Sequence, residues 1–137
     1  MREILLVRFG EVFLKGQNRP FFMKKLMDHI RQAVRPVNGR VWMSEGRFYV
    51  SDFTDMDECI RRVTRVFGVH SVSPAIEMDK DNFEAICEQA ARMMEPLSGT
   101  FKVLARRSDK RYPLDSPAIM REAGGYILDH VPQLTVD

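Results

Sequence analysis

The order in which apolar periodicity changes over the first 78 residues constrains this chain most. Residues 2–9, REILLVRF, read as a short strand. After a loop with two glycines, GEVFLKGQN, the spacing becomes helical: Phe22, Leu26, Ile30 and Ala33/Val34 share one face of 19–35. Asn18 is placed to cap that helix, Pro20 is tolerated in its first turn, and Pro36 with Asn38-Gly39 stops it. RVWMSEGRFYVSDF then predicts a hairpin, Arg40–Met43 and Arg47–Ser51 around a turn at Ser44–Gly46. Thr54 with Asp57 forms a capping pair for a second helix with Ile60, Val63 and Val66/Phe67 on its apolar face, ended by Gly68. VHSVSPAIEM, 69–78, is a strand with a proline-marked irregularity. The order β-α-β-β-α-β predicts a ferredoxin-like α+β unit over 1–78, with both helices on one face of an antiparallel sheet.

A second pattern follows the break at Asp79-Lys80-Asp81. Asp81 with Glu84 reads as a capping box for helix 82–95, whose stripe is Phe83, Ile86/Cys87, Ala90/Ala91 and Met94. Pro96 and Ser98-Gly99 end it, and strand 100–106 comes next. Ser116 and Pro117 open a last helix, with Ile119, Ala123, Tyr126/Ile127 and His130 on one flank. The chain stops at Thr135-Val136-Asp137, in what reads as the start of another strand. Two helices and one or two strands close a core poorly. The second unit, 79–137, is therefore expected to be a partial α/β domain cut short at its C-terminal end.

An apolar fraction of 45% and a charged fraction of 29% suit a soluble globular chain, and no apolar run approaches a membrane span. Cys59 and Cys87 stand alone, as free thiols in a reducing cytoplasm do. His29, His70 and His130 lack metal-ligand spacing. Neither common phosphate-binding glycine loop occurs, nor does a nucleophile elbow, so nothing assigns catalysis, a cofactor or a metal to this chain. Gly124-Gly125 reads as a helix-packing contact or a place of close approach for a backbone or ligand.

Charge is more telling. The net value is only +2, yet residues 1–52 carry ten Lys/Arg against five Asp/Glu. Four of the six cations after residue 99 fall within 106–111: Arg106, Arg107, Lys110 and Arg111, followed by Tyr112-Pro113. A charge run is commonly a solvated face. Here it ends a strand, where a loop projects from a rigid support. Cations bind phosphate and an aromatic face stacks bases, the pair of tools used on single-stranded RNA ends. The loop GEVFLKGQNR has a similar mix: Lys15 and Arg19 for charge, glycines for close approach, and a helix start near Asn18. A small-ligand or protein-interaction module is the competing reading, since ferredoxin-like units serve many roles.

The segment LVRFGEVFLKGQNRPFF resembles the opening of the tRNA 4-thiouridine synthetases, the ThiI family, which place sulfur on a uridine of tRNA. GTFKVLARRSDKRYPLDSPAIMREAGGYIL resembles the THUMP domain of that family. A THUMP fragment of an RNA methyltransferase is a further reading, against which the R-F-G-E opening argues. The resemblance implies that the chain grips the tRNA acceptor region, with the THUMP part on the 3′ CCA end. Taken with the two basic segments, Lys15, Asn18, Arg19, Arg106, Arg107, Lys110, Arg111, Tyr112 and Arg121 are the expected RNA-binding residues. In the family a further domain adenylates the uridine with ATP and Mg²⁺, and a persulfide cysteine supplies the sulfur. The S-G-G-x-D-S adenylating loop is missing here, and neither Cys59 nor Cys87 lies in a matching motif. By the same resemblance, ATP, Mg²⁺, a sulfur-donor protein and a homodimer belong to a longer parent protein.

Overall fold

A computed structural model describes residues 1–10 and 18–137, in two compact units, Met1–Met78 and Asp79–Asp137. The glycine loop expected to carry Lys15 lies outside the described residues.

In the first unit, strand β1 (Arg2–Phe9) is followed by helix α1 (Arg19–Val34), hairpin strands β2 (Arg40–Ser44) and β3 (Arg47–Ser51), helix α2 (Met56–Thr64) and strand β4 (Val69–Glu77). The strands lie in the order β2-β3-β1-β4, and every pair is antiparallel. This is the ferredoxin-like arrangement that the alternation of periods predicts. Leu5 and Val7 on β1 face the same side as Val50 and Phe48 on β3. They pack with Leu26, Ile30 and Val34 of α1 and Cys59 and Val63 of α2 into one buried cluster. The i, i+4, i+8 spacing on α1 brings those three residues onto one stripe.

Local chemistry sets the turns. After α1, a short 3₁₀ turn (Arg35–Val37) leads into Asn38, whose φ of 60° is left-handed. The amide of Gly39 donates to the Val34 carbonyl at 3.0 Å. A Cβ on Gly39 would meet Val34 Cβ at 2.7 Å, so the turn is pressed against the helix it leaves. The hairpin closes through Glu45 and Gly46, both at positive φ, as a two-residue turn between twisted strands requires.

Two local expectations are corrected in this unit. Helix α2 is capped by Asp55, which accepts the Glu58 amide at 3.1 Å, rather than by Thr54. Thr54 instead donates its amide to the Val37 carbonyl at 2.9 Å. The strand irregularity is not at Pro74, which pairs in register with Leu5 on an edge strand that tolerates it. The register shifts at the other end, between Arg8 and Phe9.

The second unit comprises helix α3 (Phe83–Met94), strand β5 (Gly99–Phe101), helix α4 (Ser116–His130) and strand β6 (Leu134–Val136). Strands β5 and β6 are parallel, with Phe101 opposite Val136. Ala91, Phe101, Ile127, Val131 and Leu134 form its buried cluster. Asn82, not Asp81, caps α3 by accepting the Ala85 amide at 3.1 Å. Asp115 does the same for α4 with Ala118 at 2.9 Å. The strand expected over 100–106 is paired only as far as Phe101, because its partner is three residues long. Beyond it the alternation persists as burial: Val103, Ala105 and Arg107 are half-buried, and Lys102, Leu104 and Arg106 are exposed. Gly124 lies over Val103, with space for a Cβ 3.7 Å away, and Gly125 faces nothing.

Candidate functional site

The basic segment of the second unit folds around its one acid. Residues 108–113 run from the alternating segment after β5 into α4. The amide of Arg111 donates to Asp109 Oδ1 at 3.0 Å, and the amide of Tyr112 donates to the Asp109 carbonyl at 3.1 Å. Such side-chain-to-backbone bonding is how Asp shapes a tight turn. The Arg111 guanidinium also grips the same carboxylate, with Nε at 3.1 Å from Oδ1 and Nη2 at 3.2 Å from Oδ2. Lys80, from the segment before α3, donates Nζ to Asp109 Oδ2 at 3.0 Å. The Arg111 side chain, its amide and Lys80 together hold the Asp109 carboxyl well below the usual carboxylate range.

Arg107 braces the turn from the other side, donating Nη1 to the Tyr112 carbonyl at 3.0 Å. Arg106 and Lys110 are exposed, and no described residue pairs with either. A cleft of about 220 Å³ opens beside this loop. Phe83, Ile86 and Ile119 give it an apolar lining, Tyr112 forms part of the wall, and Lys80, Arg106 and Arg107 stand around it. An apolar slot beside an aromatic ring and several cations suits a flat unpaired base with phosphates at its margin.

Of the residues singled out from sequence, Arg106, Arg107 and Tyr112 thus line one cleft, and Lys110 and Arg111 lie on the same loop. Arg121 is exposed on α4 and does not line it. Asn18 and Arg19 belong to the first unit, where Asn18 precedes α1 without a side-chain cap bond and Arg19 is exposed. Lys15 lies outside the described residues. Two participants were missed in the sequence. Asp109 reads there as an interruption, and Lys80 as part of a break 29 residues away. No local signal joins them.

Cys59 and Cys87 are buried, and burial pushes the Cys59 thiol up to about 11. Cys87 is raised as well, by burial first and then by Glu122 and Glu84. In both, burial disfavours the thiolate, the nucleophilic form of a cysteine. Among the described residues no group of three or more His, Cys, Asp or Glu is placed to hold a metal, and no helix is long and apolar enough to cross a membrane.

A ferredoxin-like unit followed by a small α/β unit with a cationic, aromatic-walled cleft describes a class of domain pair. Residues 4–73 match the ThiI ferredoxin-like domain family, and residues 80–137 match the THUMP domain family. The chain belongs to the ThiI ferredoxin-like domain family, with a THUMP domain following. It is 43% identical to a probable tRNA sulfurtransferase of Acetivibrio thermocellus, covering all of this chain and 37% of that protein. The corresponding protein of Alkaliphilus metalliredigens is also 43% identical, covering all of this chain and 36% of its own length. The chain thus spans little more than a third of these curated relatives. Among solved structures, PH1313 of Pyrococcus horikoshii superposes with a TM-score of 0.82 at 32% identity, over 98% of this chain and 47% of that one. A 4-thiouridine synthetase solved with RNA and bound ATP gives 0.80 at 26% identity, over all of this chain and 36% of that one.

Proposed function

We propose that this chain is a tRNA-binding module of a 4-thiouridine synthetase, holding the acceptor stem and the unpaired 3′ CCA end. The cleft at Tyr112 carries this reading. It offers an aromatic wall and an apolar lining for a base, with Arg106 and Lys110 free to meet phosphates. The likeness to a 4-thiouridine synthetase crystallised with RNA supports it. In this reading ATP, Mg²⁺, dimerisation and the sulfur donor serve the longer relatives, and this chain alone forms no 4-thiouridine. Arg106 and Lys110 contact backbone phosphates, so they fix position and not sequence. Arg111 reaches a phosphate only by sharing its guanidinium with Asp109.

Fluorescence titration of an acceptor minihelix, with and without its unpaired tail, tests the reading. Tyr112→Ala is expected to weaken tailed RNA by about 1–3 kcal/mol at an unchanged salt slope. Trimmed RNA should bind the variant and the wild type alike. Equal loss on both RNAs would remove the stacking role, and a lowered melting temperature would place Tyr112 in the fold instead. Incubation with ATP, Mg²⁺, a sulfide source and tRNA should yield no 4-thiouridine.

A further inference from the structure

A second cationic surface lies in the first unit, where α1 turns into β2. A broad cleft of about 640 Å³ is bordered there by Arg31, Arg35 and Arg40, with Trp42 as one wall and Asn38-Gly39 between. No carboxylate lines it. Arg31 stands 3.9 Å from Asp28, a loose, exposed contact of small value. Arg35 and Arg40 are exposed and pair with no described residue. Arg31 and Arg35 have a local explanation, since cations suit the carbonyl end of a helix. Arg40 does not, because it opens strand β2 opposite Ser51.

The frame holding these cations is stiff. Asn38 donates its amide to the Arg35 carbonyl at 3.0 Å, and Gly39 to that of Val34. The left-handed Asn38 reverses the chain between Arg35 and Arg40. Trp42 closes the side, with Tyr49 stacked at 5.4 Å and the Arg2 guanidinium 5.2 Å from its ring centre. A ring so engaged is a wall rather than a vacant stacking platform. The cleft is wide and shallow, with guanidiniums and no apolar slot.

We infer that the Arg31–Arg35–Arg40 cleft binds the phosphate backbone of double-helical RNA, without reading bases. Guanidiniums engage phosphate oxygens in pairs and stay charged at every physiological pH. The surface differs in chemistry from the Tyr112 cleft, and it rests on the RNA reading above only for the nature of its partner.

The test uses the full chain, a blunt RNA duplex and the same duplex with a 3′ tail, titrated over a salt series. Arg35→Ala with Arg40→Ala should weaken both RNAs to the same extent, roughly tenfold near ~0.1 M salt. The slope of log K against log salt should flatten by about 1.4–1.8, from ~0.7–0.9 for each phosphate that is no longer neutralised. Melting curves should match the wild type, since both side chains are exposed. Unchanged binding and slope on the blunt duplex would overturn the inference while leaving the Tyr112 reading standing. Weaker binding of the blunt duplex with no effect of Tyr112→Ala on tailed RNA would uphold it and overturn the other. No binding of either RNA by the wild type overturns both. A matching loss on phosphatidylserine vesicles, with RNA unaffected, would make the surface a membrane contact and overturn it too.

Discussion

Around Asp109 the cations are held by a carboxylate; around Arg35 and Arg40 they are not. The first arrangement gathers Lys80, Arg111 and a turn amide onto one side chain, so its geometry is set before any ligand arrives. An incoming phosphate must share those two cations with Asp109. The second arrangement relies on backbone for its shape: a left-handed Asn38, and a Gly39 pressed onto Val34. Its cations are uncompensated and open to any phosphate. Under the functional reading proposed above, the first site would position a particular end of the ligand and the second would add affinity along it. The supporting cores differ as well. A four-stranded sheet under two helices backs the Arg35–Arg40 turn, whereas a two-stranded parallel pair backs the Asp109 loop.

The largest expected effect tests whether the two cores are separate. Phe48 is 1% exposed in the first unit's core, and Phe48→Ala should destabilise that unit by about 3–5 kcal/mol. Hydrogen exchange should then show reduced protection across residues 1–78 with protection in 79–137 retained. An equal reduction in both would mean that the units unfold as one.

A smaller effect is expected at the turn that carries the unpaired arginines. In Gly39→Ala the new methyl group meets Val34 within 2.7 Å, and overpacking of this kind costs about 1–3 kcal/mol. The melting temperature should fall and affinity for a blunt duplex should drop, while the preference for tailed over trimmed RNA persists. Disappearance of that preference would break the division of labour between the two sites.

The smallest effect concerns Asp109. A carboxyl lowered in the folded state contributes stability above its unfolded value of ~3.9 and loses it only as pH falls through the lower folded value. The loop should therefore bind tailed RNA with no Asp109-linked change between pH 7 and pH 5. Asp109→Asn releases Lys80 and Arg111 and should steepen the salt slope by about 0.7–0.9 for each cation that gains a phosphate. A flatter slope would mean that Asp109 organises these cations for the ligand instead of competing with it.

Much of the first unit was legible because its signals are local. Three residues of α1 at four-residue spacing, a Pro in its first turn and an Asn-Gly after it mark one helix without any tertiary information. The caps were read one residue early at Thr54 and Asp81, because neighbouring residues can all cap and only backbone dihedrals choose among them. The length of β5 was unreadable for a different reason. Alternation from Phe101 to Arg107 records which side is buried, and pairing depends on a partner more than thirty residues away.

The amino-acid sequence by itself determined the order of elements, the ferredoxin-like class and the concentration of cations near residues 106–111, since all three follow from spacing along the chain. Only the tertiary structure decided which cations are free. Asp109 lies two residues before Arg111 in sequence, but Lys80 reaches it only when the segment before α3 is folded back upon the loop. Arg35 and Arg40 look unremarkable in a basic stretch, and their cleft exists because a helix end, a left-handed residue and an edge strand meet. Pairing and exposure are distances in space, and a linear pattern carries them only where the chain is locally regular.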